Sequence, residues 1–385
     1  MFRKAVTTLM LSLLLAVFAL APVSGQSDTA LTDMRFFLGY IPNIQFSPVY
    51  IAAAKGYFAD EGYNAVLEHG DENVGVEQIA VGDIPFGAVS GETVIQARSN
   101  DRPVVFVYQW YTKYPIALVI PDTTGVTTMA ELKGKKVGIP GRFGASYSGL
   151  IALLKANDMT EEDVQVETIG FNAPDVICVG AVDAAVVYIN NEPLQVRTRA
   201  ANGDCGAIKD VTVIPVSDYI NMVSNGIVTN EDTVANHPEM VSAVNRAFDH
   251  GLRDVINNPA EAYLLSLDYI ENMPASDEFK AALQEEADKQ TEFLAGEPTR
   301  EEIAESRATL LETLKASFTN DDLNQLEVLL ATIDLWDTDT LGVTDEANWK
   351  LTQDVLLQIG AISKEIDLTA AFTNDFLPDA EGTGE

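Results

Sequence analysis

The sequence has few of the residues that metal sites and nucleic-acid surfaces require. It contains 2 Cys and 3 His in 385 residues, and neither a CxxC nor an HExxH motif. A zinc site needs clustered ligands, so we expect no metal. Basic residues are also scarce, with 24 Lys and Arg against 58 Asp and Glu and a formal charge of −34. Because no basic stripe interrupts this acidity, we expect neither nucleic acid nor an anionic membrane surface as a partner.

Long apolar runs are lacking beyond the N-terminus. Residues 1–25 combine a basic start at Arg3 and Lys4, an apolar run over residues 5–21 and the small-residue exit Val23-Ser24-Gly25. This pattern predicts a signal peptide cleaved near Gly25, and therefore a protein exported to the periplasm or the outer face of the cytoplasmic membrane. The alternative is an uncleaved anchor, but the run is short for a spanning helix, which needs about 20 residues. Cleavage would leave 360 residues with a formal charge of −36.

The two cysteines, Cys178 and Cys205, have 26 residues between them. An even number of cysteines in an exported chain permits one disulfide bond. Two unpaired thiols are the alternative. Because pairing depends on the distance and direction of the two side chains, the sequence leaves both alternatives open.

Strand-like and helix-like segments alternate from Arg35 to about Asn225, which predicts an α/β architecture with largely parallel strands. The predicted strands cover residues 35–38, 65–68, 84–89, 104–109, 116–120, 136–139, 165–169 and 184–189. Predicted helices cover residues 48–61, 92–99 and 147–155, and Thr128 with Glu131 forms a capping-box pattern before a short segment at 130–134. From about Thr233, longer helical patterns follow at residues 238–257, 259–270, 276–294 and 298–318.

Distinctive side chains follow several of the predicted strands. Ligands of open α/β sheets bind beyond the carboxyl ends of the strands, so these side chains predict a binding site. The candidates are the aromatic residues Tyr40, Phe46, Tyr50, Trp110, Tyr111, Tyr114, Phe143, Tyr147 and Tyr188, the polar residues Asn43, Ser90, Glu92, Ser146, Asn190 and Glu192, and Gly144 and Ala145. Ser146 is expected to cap the helix that follows.

The chemistry of this set favours a small, flat heteroaromatic solute. Aromatic rings stack on such a ligand, while Glu192, Asn43 and Asn190 can pair with its ring N–H and carbonyl groups. Only Arg142 and Lys113 are basic near the predicted site, which disfavours a multiply charged phosphate ligand.

Several of these residues have a structural alternative. Tyr50 suits a helix core, and Trp110 and Tyr114 suit packing between lobes. Glu92 suits a first helical turn, where its charge complements the helix dipole. Glu192 precedes Pro193 at a predicted strand exit, a poor place for an unpaired charge, which favours a role in binding a polar ligand.

Residues 39–62 carry a specific pattern: a Gly-Tyr-Ile-Pro-Asn turn after a strand, then a helix ending in Gly-Tyr-Phe-Ala-Asp-Glu-Gly. This segment resembles the opening of bacterial solute-binding proteins of the thiamine-pyrimidine-precursor superfamily. Further blocks resemble the riboflavin-binding branch of that superfamily. They lie at residues 39–45, 110–115, 138–150, 188–193, 224–230 and 372–378, and extend over nearly all of the chain after residue 25.

The resemblance implies a two-lobed periplasmic-binding-protein type II fold with a hinged cleft between the lobes. Lobe 1 would comprise residues 26–120 and 226–385, and lobe 2 would be inserted at residues 121–225. The resemblance also implies a protein that captures riboflavin or a close flavin by lobe closure and delivers it to the permease of an ABC importer. We expect the protein to be a monomer. Riboflavin would be the transported ligand, and no cofactor is expected.

Two other functions remain open at this point. A related branch of the superfamily binds pyrimidine precursors of thiamine, such as hydroxymethylpyrimidine. An exported enzyme using Glu92 or Glu192 as a general base is the alternative from another class. Catalysis needs a partner group within hydrogen-bond reach, and the sequence names none. The chain also lacks the cysteine-rich motif of the related pyrimidine synthases, so we expect a binding protein and not an enzyme.

Overall fold

The computed structural model describes residues 30–378, so the predicted signal peptide at residues 1–25 lies outside the described residues. The strands are β1 Thr32–Leu38, β2 Tyr63–His69, β3 Phe86–Ser90, β4 Val104–Gln109, β5 Ile116–Pro121, β6 Lys136–Ile139, β7 Gln165–Thr168, β8 Ala184–Tyr188, β9 Val211–Pro215 and β10 Asn225–Asn230. The helices are α1 Ser47–Ala54, α2 Tyr57–Asp60, α3 Glu72–Ala80, α4 Gly91–Ser99, α5 Gly144–Ala156, α6 Ala173–Cys178, α7 Glu192–Asn202, α8 Glu231–Asn236, α9 Pro238–Asn257, α10 Pro259–Ser266, α11 Asp277–Leu294, α12 Arg300–Lys315, α13 Asn320–Trp336 and α14 Glu346–Gln358.

The strands form two five-stranded sheets, which define a first and a second lobe. The first sheet has the order β2-β1-β3-β10-β4, with β10 antiparallel to both of its neighbours. The second sheet has the order β7-β6-β8-β5-β9, with β5 antiparallel to both of its neighbours. The expected α/β class and two-lobed fold are confirmed.

The sheets differ from the expectation in two respects. Strand β5 pairs within the second sheet, although the predicted boundary at residue 120 assigns most of it to lobe 1. The domain boundaries themselves stay predictions. Strands β9 and β10 were not predicted, because neither contains a long apolar run: β10 reads Asn-Gly-Ile-Val-Thr-Asn.

Two helices also begin or end at residues other than those predicted, because of the local backbone conformation. The helix expected at residues 48–61 is interrupted at Gly56, whose φ of +81° is left-handed and ends α1. Helix α5 begins at Gly144 and not at Tyr147, so Ser146 lies within its first turn and does not cap it. The prediction that Ser146 is the N-cap is therefore wrong. The capping box of Thr128 and Glu131 is present and opens a short 3₁₀ helix, Met129–Leu132.

Each lobe has a buried apolar core. In the first lobe, helices α1, α9, α10 and α13 pack beside the sheet. Gly251 of α9 lies so close to α1 that a Cβ there would be 2.2 Å from the carbonyl oxygen of Pro48. The second lobe packs α5 on one side of its sheet, around Leu118, Ile139 and Leu150.

Cys178 and Cys205 form a disulfide bond at the edge of the second lobe, with their Cα atoms 4.2 Å apart. The bond connects the end of α6 to the loop that follows α7. It therefore closes a loop of chain that belongs entirely to this lobe. Within residues 30–378, none of the helices combines the length and apolar character needed to cross a membrane.

Candidate ligand-binding cleft

A cavity of about 70 Å³ lies between the two lobes, at the ends of strands from both sheets. Small-molecule sites usually measure roughly 300–1,000 Å³, so the cavity must widen to hold a ligand of several rings. It is lined by Gly39, Tyr40, Gln45, Phe46, Glu72, Trp110, Tyr111, Pro140, Phe143, Gly144, Ala145, Ser146, Gly170, Phe171, Ala173, Val186, Val187, Tyr188, Glu192 and Asn225.

The first lobe contributes aromatic rings that are fixed by its core. Trp110 follows β4 and is 1% exposed. Its ring lies 5.9 Å from Phe46, 5.1 Å from Tyr111 and 5.3 Å from Trp336, measured between centroids. Rings packed at these distances keep each other in one orientation, so this face of the cavity is a preformed aromatic surface.

Gln45 connects the aromatic surface to the second lobe. Asn43 caps the turn at Ile44–Phe46 by accepting a hydrogen bond from Gln45 N at 3.0 Å. The Gln45 side-chain oxygen then accepts from Tyr111 Oη at 3.2 Å and from Asn190 Nδ2 at 2.7 Å. Neither Asn190 nor Asn43 lines the cavity. Asn190 holds the side chain of Gln45, and Asn43 stabilises the turn that carries Gln45.

The second lobe contributes loop residues and the start of α5. Phe143, Gly144, Ala145 and Ser146 follow β6, and Gly144 has a φ of +60°, a conformation that suits glycine. Phe171 follows β7 and meets Tyr40 of the first lobe edge-to-face, with 4.6 Å between ring centroids. These two rings touch across the cleft and help to keep the cavity small.

Glu192 lines the cavity from the first turn of α7. Its carboxylate accepts hydrogen bonds from Tyr40 Oη at 3.2 Å and Tyr188 N at 3.0 Å. Burial raises the pKa of Glu192, and these hydrogen bonds act in the opposite direction. Glu192 was expected at the end of a strand and instead begins helix α7. Its carboxylate nevertheless lines the cleft, where it can accept hydrogen bonds from a ligand.

Glu92 does not line the cavity. It is fully buried behind it and accepts a hydrogen bond from Tyr114 Oη at 2.8 Å, while its Oε2 has no partner among the described residues. Tyr114 Oη also lies 3.0 Å from the carbonyl oxygen of Ala145, and because a hydroxyl has one proton, it donates to one of these two oxygens at a time. Burial, followed by the nearby charge of Glu72, raises the pKa of Glu92 to about 8. Glu92 is therefore an internal carboxyl group that connects the first lobe to α5 through Tyr114.

Three further candidates lie away from the cavity. Tyr50 is buried, stacks on Tyr269 at 4.8 Å and bonds His69 through its hydroxyl, so the helix-core alternative describes it well. Ser90 is buried behind Glu72 and donates its backbone N–H to that carboxylate. Tyr147 lies on α5 and donates its hydroxyl to Glu161 at 2.8 Å.

Sequence reasoning did not find Gln45, Glu72, Phe171 and Asn225, which all line the cavity. Glu72 and Phe171 each follow a strand, and this position in the sequence could have identified them as candidates for the cleft. Glu72 begins α3, where an acidic residue usually needs no explanation beyond the helix dipole. Asn225 begins β10, a strand that the sequence did not reveal, and its side-chain oxygen accepts from Tyr188 Oη at 2.9 Å.

The cavity offers stacking surfaces and hydrogen-bond acceptors, and no metal chemistry can be assigned to it. Across residues 30–378, no three His, Cys, Asp or Glu side chains come together in a way that could hold a metal ion.

The fold has well-matched counterparts among solved structures. The alkanesulfonate-binding protein SsuA of Xanthomonas axonopodis pv. citri aligns over 89% of this chain and 98% of its own, with a TM-score of 0.56 at 13% identity. The aliphatic sulphonate binding protein SsuA of Escherichia coli aligns over 92% and 96%, with a TM-score of 0.57 at 14% identity. The architecture is thus that of two-lobed periplasmic binding proteins.

Sequence comparison then gives the family. Residues 43–262 match the NMT1/THI5 like family, and the chain belongs to it. Its relatives include the riboflavin-binding protein RibY of Chloroflexus aurantiacus, which is 32% identical over 94% of this chain and 91% of the relative. They also include the formylaminopyrimidine-binding protein of Halalkalibacterium halodurans, 29% identical over 66% and 76%. A 4-amino-5-hydroxymethyl-2-methylpyrimidine phosphate synthase of Legionella pneumophila is 23% identical over 60% and 72%.

Proposed function

We propose that this protein is the exported solute-binding component of an ABC importer, and that it captures riboflavin or a close flavin in the cleft. The observation that carries the proposal is the cavity, which has aromatic rings from both lobes and two buried carboxyl groups, Glu72 and Glu192. A flavin has a flat ring system for stacking, and its ring N–H and ribityl hydroxyls suit a carboxylate acceptor.

The relatives support this choice of ligand. The riboflavin-binding relative matches nearly the whole chain, whereas the formylaminopyrimidine-binding relative matches 66% of it. A pyrimidine precursor of thiamine is the second candidate, because its single ring needs less widening of the small cavity. Binding and delivery require no chemical conversion, so we propose no catalytic residue.

Capture would involve movement of the two lobes. Tyr40 contacts Phe171 and Glu192 across the cleft, and these contacts must give way before a ligand enters. Closure around the ligand would then exclude water and strengthen the hydrogen bonds to Glu192. The permease of the importer would receive the ligand when the lobes reopen.

The test is a titration of the purified protein with riboflavin, followed by flavin fluorescence and by calorimetry, with an aminopyrimidine in parallel. We expect about one riboflavin per chain and quenched fluorescence, because the ring stacks on aromatic side chains. Heat with the aminopyrimidine and none with riboflavin would transfer the assignment to the second candidate. Conversion of the flavin during the titration would contradict a binding function.

Two variants localise the site. Phe171→Ala removes a ring that lines the cavity and should weaken riboflavin binding by up to about tenfold. Tyr147→Phe removes a hydroxyl of an aromatic residue that does not line the cavity, and should leave the affinity unchanged. Equal affinities for Phe171→Ala and wild type would place the ligand elsewhere.

A further inference from the structure

Helix α5 directs its N-terminal end at the cleft. Its first three residues, Gly144 to Ser146, line the cavity, and no side chain caps its first turn. The N-terminus of a helix carries partial positive charge and free N–H groups, which attract phosphate and sulfonate groups. By itself this end of α5 would favour an anionic ligand.

The carboxylate of Glu72 occupies the approach to this helix end from the opposite lobe. A Cβ built on Gly144 would lie 2.5 Å from Glu72 Oε2, so the carboxylate and the first residue of α5 are in contact. Glu72 is 7% exposed and is held by hydrogen bonds from Ser90 N and from Thr93 Oγ1, the latter at 3.1 Å. It is therefore a fixed part of the cavity wall.

The remaining charges around the cavity are also negative. Glu192 also lines the cavity, and among the described lining residues none is Lys, Arg or His. The two basic residues noted in the sequence are engaged elsewhere: Arg142 with Glu161, and Lys113 with the carbonyl oxygen of Asp334. An anionic ligand would thus meet two carboxyl groups and no basic side chain among the described lining residues.

We propose that Glu72 is a specificity-determining residue, which makes the cleft reject phosphorylated and sulfonated compounds and accept uncharged solutes. The inference deepens the proposed function and rests on it. A phosphate monoester carries a charge of about −1.5 to −2 at neutral pH. Like charges brought together in a site disfavour binding strongly, so a phosphorylated ligand should bind at least about a hundredfold more weakly than its uncharged form.

The pKa of Glu72 bears on how much charge it presents. Burial raises this pKa, while the hydrogen bonds from Ser90 and Thr93 lower it, because both donate to the carboxylate. Burial is the largest of these effects, so the pKa of Glu72 lies above its ordinary value, and the two donors offset only part of the rise. The ionised form of Glu72 is the one that repels a phosphate.

The experiment measures four dissociation constants for each protein: riboflavin, riboflavin 5′-phosphate, hydroxymethylpyrimidine and hydroxymethylpyrimidine phosphate. Wild type is compared with Glu72→Gln, which keeps the shape of the side chain. The matched control is Glu77→Gln, on the same helix, where the carboxylate is half exposed and pairs with Arg102 on the surface. For each protein we divide the dissociation constant of the phosphorylated form by that of the uncharged form. Partial unfolding of Glu72→Gln would affect both constants equally and therefore leaves this ratio unchanged.

In wild type and in Glu77→Gln, we expect the dissociation constant of the phosphorylated compound to be at least about a hundred times that of its uncharged form. In Glu72→Gln this ratio should be at least about tenfold smaller. A ratio near one in wild type, or an equal ratio in wild type and Glu72→Gln, would overturn the role of Glu72 and leave riboflavin binding intact. Selective binding of the uncharged pyrimidine, with no binding of riboflavin, would instead overturn the proposed ligand and keep the role of Glu72. Failure of all four compounds to bind would overturn both.

Discussion

The two faces of the cleft are built in different ways. The first-lobe face consists of Phe46, Trp110 and Tyr111, which belong to the main core of their lobe. The second-lobe face presents Phe143 and Phe171, two half-buried rings on the loops after β6 and β7. A ring fixed in a core loses little freedom when a ligand binds, whereas a ring on a loop can move to admit one. The first lobe therefore supplies a rigid platform, and the second supplies the adjustable side.

The largest expected effect tests this contrast through stability. Trp110→Ala should lower the free energy of unfolding by about 3–5 kcal/mol, because it opens a large cavity among packed rings. Phe143→Ala should cost less than about 1.5 kcal/mol, because its ring is outside the cores. Denaturant unfolding of both variants measures the difference. Equal losses would mean that the two faces are equally rigid.

The disulfide bond gives the second lobe a support that the first lobe lacks among its described residues. Replacing Cys178 and Cys205 by Ser together should lower the free energy of unfolding by about 3.5 kcal/mol, since the bond joins residues that are 27 positions apart in the chain. Hydrogen exchange should show faster exchange in α6 and α7 and little change in the first sheet. Faster exchange in both lobes alike would contradict independent stabilisation of the second lobe.

Glu92 should make stability depend on pH. Its pKa is about 8 in the folded protein and 4.5 in its ordinary state, so the folded state holds the proton more tightly. The contribution of Glu92 to the free energy of unfolding is fully present below pH 4.5 and is lost as the pH rises through about 8. Glu92→Gln should remove this loss, so its free energy of unfolding should rise relative to that of wild type by on the order of 3–4 kcal/mol as the pH goes from 5 to 8. Thermal unfolding of both proteins at several pH values measures the difference. If the melting temperatures of wild type and Glu92→Gln changed equally with pH across that range, Glu92 would not be the group responsible.

The smallest expected effect concerns affinity. Glu192→Gln should weaken riboflavin binding by about 1.5–3 kcal/mol, or tenfold to a hundredfold, because it removes a charged acceptor at the cavity. Glu92→Gln should change the affinity far less, since Glu92 lies behind the cavity. Calorimetry on both variants, with melting temperatures to verify folding, measures the contrast. Wild-type affinity in Glu192→Gln would leave stacking as the main source of recognition.

The sequence predicted the parts of the cleft that depend on local pattern. Strands β4 and β6 have the bounds that their apolar runs predicted, and Trp110, Tyr111 and Phe143 follow them into the cleft. The reason is physical: a buried strand must be apolar, and the chain leaves the sheet where that run ends.

The remaining parts depend on contacts between distant segments. Glu92 and Glu192 each begin a helix, and nothing local distinguishes the carboxyl group behind the cavity from the one that lines it. Glu72 acquires its position through Gly144 of the other lobe, 72 residues away in the chain. A sequence pattern with a period of two or 3.6 residues carries no information about such pairs.

The close approach of α9 to α1 offers a means of adjusting the cleft from behind. At Gly251 a single added methyl group would press on the carbonyl of Pro48, next to the turn that carries Gln45 and Phe46. Enlarging this residue should displace the floor of the cavity without changing any side chain that lines it. Gly251 therefore offers a position from which the placement of Gln45 and Phe46 can be tested without replacing either side chain.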